Sequence, residues 1–211
     1  VIPKICDDCF KVQILPDSFS AMMQVHFLLA CLELSRDNMR KCIVELREEI
    51  KYPYKGYIYC ESEEEAEICL NQFRGAIHKY GLPPVQSKIS HGCSEYGARY
   101  PAFKFSQEGS HRNFNRPESW NKAESRFFSN IRIPNRERES FSKQGVSIRD
   151  VLGFNTWALY ASLIGDDTCK IYGTNRVWEP PKPFLVRVRS QAQVRKAQML
   201  ELQGMLASSL G

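Results

Sequence analysis

The chain has 211 residues, 43% of them apolar and 25% charged, proportions that support a packed core and exclude a disordered tether. No run approaches the roughly 18 to 20 consecutive apolar residues of a membrane-spanning helix, so an integral helical membrane protein is excluded from the expectations. The net charge of +5 is unevenly placed. Residues 1–98 carry −3 and 150–169 another −3, whereas 99–149 carry +6 and 170–211 carry +5. A negative partner is therefore expected on the second half.

Eight cysteines fall short of the density of a disulfide scaffold. Cys31, Cys42 and Cys69 sit in apolar segments, where a free thiol behaves as a small hydrophobe. These features point to a reducing compartment, most simply the cytoplasm. The first residues, Val1-Ile-Pro-Lys-Ile-Cys6, show neither the basic nor the apolar region of a signal peptide.

In chain order, Cys6-Asp-Asp-Cys9 is a C-x2-C turn that leads into an alternating strand ending at Ile14. Two thiolates at this spacing can meet one metal ion. A redox dithiol is disfavoured, because the two intervening acids oppose thiolate formation. Asp17 or Ser18 caps a helix to about Leu34, apolar on nearly every side and hence buried. His26 lies within it as a hydrogen-bonded core histidine. Asp37 then caps a segment, Asn38 to Ile50, read as helix, although Cys42-Ile-Val-Glu-Leu46 fits a strand equally. Tyr52-Pro-Tyr54 breaks the chain.

Lys55-Gly-Tyr-Ile-Tyr-Cys60 reads as a strand. Ser62 and Glu65 form the capping box of the next helix. Ala66, Cys69, Leu70, Phe73, Ala76, Ile77 and Tyr80 line one face of it, and Gly81 and Pro83 end it. A second strand, Val85 to Ser90, leads into His91-Gly-Cys93. Strand, crossover helix and strand make a βαβ unit with parallel strands. If those strands are neighbours, Cys60 and Cys93 lie side by side at their ends.

From Ser94 to Ser147 periodicity fades, and aromatic, Asn, Ser, Pro and Arg residues recur. So many aromatics indicate a segment that packs on something, with a short helix from Glu118 to Phe128. Ser147 and Asp150 cap the next helix, apolar through Ile164. Gly165 ends it, and Thr168 to Tyr172 reads as a strand. Pro180, Pro181 and Pro183 stiffen the connection to another strand, Phe184 to Arg189. Ser190 and Gln193 open a last helix running to about Ala207.

For chemistry, the leading constellation is Cys6, Cys9, Cys60 and Cys93, a four-thiolate set suited to zinc or to an iron–sulfur cluster, with His91 able to replace one thiolate. The second is basic and aromatic. Arg112, Arg116, Arg126, Arg132, Arg136 and Arg138, interleaved with Phe114, Trp120, Phe127 and Phe128, suit phosphates and stacked bases, and equally a protein interface. Cys93, His91 and Glu95 can be drawn as nucleophile, base and orienter, but residues two apart on a strand rarely reach hydrogen-bond geometry. The acidic run at Glu61, Glu63, Glu64, Glu65 and Glu67 complements a helix dipole. No phosphate loop, dinucleotide fingerprint, zincin helix or nucleophile elbow is present, and no RNP-like, KH-like or helix-turn-helix pattern is read.

The sequence thus predicts an α+β protein with a βαβ-containing core. Residues 1–98 form an α+β core with the CxxC knuckle, 99–146 an extended basic aromatic arm, and 147–211 a helix-strand-strand-helix segment closing the core. The function expected is an accessory or adaptor subunit of a larger complex, with a structural thiolate metal site and a protein partner. The alternative is an RNA-binding or ribonucleoprotein component using 99–149 and 170–211. A cysteine- or metal-centred enzyme stands third.

Overall fold

Alternation along the strands sets the architecture. In a computed structural model, which describes residues 2–3, 6, 9–92, 96, 99–100, 117–128, 148–172 and 181–209, the first half is a four-stranded sheet with helices packed on one face. Strand β1 (Phe10–Leu15) is followed by α1 (Phe19–Cys31), β2 (Arg40–Val44), β3 (Tyr54–Cys60), α2 (Glu63–Lys79) and β4 (Gln86–His91). The sheet order is β2-β3-β1-β4, and every neighbouring pair is antiparallel. This is the split βαβ arrangement, an α+β fold in which each crossover helix joins two parallel strands with a third strand between them. The expected βαβ unit is β3, α2 and β4. Its strands are parallel but not neighbours, because β1 is inserted between them.

Phe10, Val12 and Ile14 of β1 and Ile58 and Cys60 of β3 point toward α1 and α2, where they join Val25, Leu28, Ala66, Cys69, Leu70 and Phe73 in the first core cluster. Gly56 permits this packing. A Cβ there would lie 3.1 Å from Val25 and 3.3 Å from Ile14, so α1 rests directly on the β3 backbone. The cap forms with a shift: Ser62 Oγ accepts from Glu65 N–H at 3.1 Å, while the Glu65 carboxylate reaches past the cap residue to accept from Glu61 N–H at 2.6 Å. Gly81 adopts φ +61 just past α2, the left-handed turn that suits glycine.

Three readings are corrected. The segment after Asp37 is a strand, β2, because pairing with β3 recruits its Cys-Ile-Val run. Arg40 at its start turns back to donate to the carbonyls of Leu29 and Leu32, filling acceptors left open at the end of α1. The strand expected at 168–172 is a 3-10 helix, Asp167–Tyr172. The strand expected at 184–189 is the start of one long helix.

Beyond the sheet come α3 (Glu118–Phe128), α4 (Ile148–Ile164) and α5 (Lys182–Ser209). A second core cluster joins Phe19, Met22, Met23 and Tyr54 to Tyr160, Ala161 and Ile164 of α4 and to Val188 and Met199 of α5. Polar fasteners reinforce it. The Asp166 carboxylate accepts from Phe19 N–H and from the Tyr54 hydroxyl, both at 2.6 Å, completing the α1 cap that Ser18 begins. Arg195, 1% exposed, donates to the carbonyls of Ile50 and Arg47 at 2.6 Å each. His26 packs among the rings of Phe27, Phe154 and Trp157, and burial lowers its pKa, with the Asp150 carboxylate opposing. No helix among the described residues is long and apolar enough to cross a membrane.

Candidate functional site

Two places hold the chemistry-bearing residues. The first is the sheet end where β3 and β4 finish. Phe10 of β1 pairs with Cys60 on one side and His91 on the other, so Cys60 and His91 are two strand spacings apart, about 10 Å between backbones. The expectation of adjacent strand ends is corrected by that insertion. The knuckle does reach this end: Gly92 N–H donates to the Cys9 carbonyl at 2.8 Å. His91 is buried, with its ring 4.5 Å from that of Phe10. Cys60 turns into the core beside Cys69. Burial pushes both thiols upward, and for Cys60 the neighbouring Cys69 adds to the rise. Cys93 lies outside the described residues, and among those described no three His, Cys, Asp or Glu side chains cluster closely enough to hold a metal ion.

Of the basic aromatic set, Trp120, Arg126, Phe127 and Phe128 lie on α3. Trp120 meets Tyr100 edge-on at 5.1 Å. Phe127 is 67% exposed, with the Arg126 guanidinium 5.7 Å from its ring centre. Arg112, Arg116, Arg132, Arg136 and Arg138 lie outside the described residues.

The second place is the sheet face turned away from α1 and α2. Because strand side chains alternate, the residues between the core positions share this face: Lys11, Gln13 and the buried Leu15 of β1, Lys41 and Ile43 of β2, the buried Lys55 with Tyr57 and Tyr59 of β3, and Gln86, Lys88 and Ser90 of β4. Their register is fixed. Lys41 pairs with Tyr57, Tyr57 with Gln13, and Gln13 with Lys88. One step along, Tyr59 pairs with Lys11 and Lys11 with Ser90. The two tyrosine rings are 6.1 Å apart. Lys11 lies 5.5 Å from the Tyr57 ring, and Lys41 lies 5.7 Å from Tyr57 and 5.3 Å from Tyr59. These are cation–π distances. Tyr57 and Lys11 are each 6% exposed, so Tyr59, Gln13, Lys41 and Lys88 are among the accessible members.

Sequence reasoning passed over this face. Lys55-Gly-Tyr-Ile-Tyr59 matches the opening of the RNP1 pattern, K/R-G-aromatic-x-aromatic. It departs from that pattern at Ile58 in place of a small residue, at Tyr59 in place of phenylalanine, at Cys60 in place of valine, and at Ser62, the α2 cap, in place of the closing aromatic. Lys55 departs in role as well, being fully buried with its ammonium 2.8 Å from Glu45. The register that sets lysines beside the rings needed the fold. Comparison of the chain with protein-family models, with curated proteins and with solved structures gives no match, so function is argued from this geometry alone.

Proposed function

We propose that the protein binds single-stranded nucleic acid, RNA foremost, on the sheet face turned away from α1 and α2. One observation carries the reading: two tyrosines alternate on the central strand β3, with lysines from β1 and β2 at cation–π distance. Aromatic side chains on the central strands of a four-stranded sheet are the stacking platform of RNA-recognition sheets, and ammonium groups beside them neutralise phosphates. A paired duplex offers its bases no route onto such a platform, so the ligand is single-stranded. The likeness is one of arrangement, and β1 supplies no aromatic of its own to this face.

The test is fluorescence anisotropy of a labelled single-stranded RNA across a salt titration. Affinity should fall linearly with the logarithm of salt concentration, and Tyr59→Ala should weaken binding by roughly tenfold or more. Absence of binding at low salt, or an unchanged Tyr59→Ala, defeats the reading.

A second reading is supported by the Cys9–Gly92 hydrogen bond, which draws the knuckle to the end of β4. Cys6 and Cys9, with His91 and with Cys93 two residues further along the chain, are the donors for a structural zinc ion or, less simply, an iron–sulfur cluster. The protein would then be an accessory subunit docking a partner through the exposed Phe127 of α3. Metal analysis of anaerobically purified protein decides: about one zinc per chain supports it, and no metal defeats it.

A further inference from the structure

We propose that Gln13 reads a base edge and selects adenine; the inference rests on the nucleic-acid reading above. Lys41, Tyr57, Gln13 and Lys88 form one straight row across all four strands. Its ends lie three strand spacings apart, about 14 Å. Both ends carry exposed lysines, and Lys88 makes no ion pair among the described residues. A nucleic-acid strand crossing the sheet along this row meets an exposed lysine at each end and the Gln13 amide at the centre, with Tyr59, one step along β3, as the accessible ring above the buried Tyr57.

Gln13 is the central polar group of that path. It is half-buried, and its amide makes no hydrogen bond among the described residues. A half-buried amide with no partner among the described residues offers one acceptor and two donors to a ligand edge. Tyr59 is its diagonal neighbour across β1 and β3, a separation of about 7–8 Å between backbones and within side-chain reach. A base stacked on Tyr59 therefore presents its edge toward Gln13, while Lys41 leaves the rings for the adjoining phosphate. Glutamine places donor and acceptor side by side, the complement of the acceptor and amino group of adenine, whereas glutamate accepts from the amino group of cytosine.

The experiment compares short single-stranded A, C and U homopolymers on wild type, Gln13→Ala and Gln13→Glu, with circular dichroism confirming the fold of each. Wild type should favour the A strand over C by about tenfold. Gln13→Ala should remove that preference with the salt slope unchanged, and Gln13→Glu should turn it toward C. Lys88→Gln should lower the salt slope by about one and leave base preference intact. Binding without base preference, or a preference that survives Gln13→Ala, overturns the assignment of Gln13 while the nucleic-acid reading stands. Absence of any binding overturns both.

Discussion

The two faces of the sheet are written by the same strands in alternate residues, and they have opposite characters. Toward the helices, Phe10, Val12, Ile14 and Ile58 are buried with Phe73 and Leu70 in a close-packed core. Away from them stand Lys11, Gln13, Lys41, Tyr59 and Lys88, whose side chains contribute little packing on the helix side. The first face explains most of why the chain folds; the second adds the buried Lys55, paired with Glu45, and the buried Tyr57 and Lys11. Gln13, Lys41, Tyr59 and Lys88, accessible residues in register on the second face, are left for recognition to explain.

The sharpest way to break this comparison is a truncation on each side. Phe73→Ala, at a fully buried position, should lower the unfolding free energy by about 3–5 kcal/mol. Tyr59→Ala should change it by about 1 kcal/mol or less. Urea titrations of the two variants measure both. If Tyr59→Ala proves as damaging as Phe73→Ala, the second face is structural and the nucleic-acid reading loses its footing.

Acid should act next most strongly, through the β2–β3 connection. Burial of Glu45 alone would raise its pKa, but hydrogen bonds from Arg47 and Lys55 outweigh burial and hold it down to about 2. The unfolded chain therefore binds the proton more readily than the folded one between about pH 4.5 and pH 2. Stability contributed by Glu45 is present above that window and is lost as pH falls through it, by about 3 kcal/mol in all. Unfolding midpoints measured from pH 6 to pH 2 should show the decline. A flat profile would mean that the pair formed by Glu45 and Lys55, 2.8 Å apart, is not holding the folded state.

Arg195→Met should cost about 2 kcal/mol, because it strands the carbonyls of Arg47 and Ile50. Smallest of all in stability, Lys41→Gln and Lys88→Gln should stay within about 0.5 kcal/mol of wild type and yet change the salt dependence of RNA binding. That pairing of a silent stability effect with a binding effect is what the second face predicts.

Much of the fold was legible in the sequence. Ser62 with Glu65, Gly81, and the alternating runs at 10–15 and 54–60 announced their elements through local chemistry. The misreadings share a cause. Cys42-Ile-Val-Glu-Leu46 and Phe184 to Arg189 are short runs whose local pattern fits either helix or strand, and tertiary pairing decides. For 42–44 the partner is β3. For 184–189 it is the continuing stripe of Val188, Gln191, Arg195, Met199 and Leu202, visible only when the window extends across the whole helix. The site was less legible. Lys55-Gly-Tyr-Ile-Tyr59 was in plain view, but its meaning depends on β1 lying beside β3, a contact between distant parts of the chain that no local pattern encodes.

The Asp166 cap on α1 spans 147 residues of chain, and the hold of Gln191 on the Leu46 carbonyl spans 145. During synthesis the split βαβ half emerges long before either fastener exists. The nascent chain must therefore carry Phe19, Met22 and Tyr54 exposed until α4 and α5 arrive, a delay of about 5–20 s at roughly 5–20 residues per second. Closure between such distant segments is also slow for entropic reasons. The same long-range ties that lock the finished molecule thus leave its growing form with a sticky surface, and make this a protein whose yield should respond to chaperones that shield nascent chains.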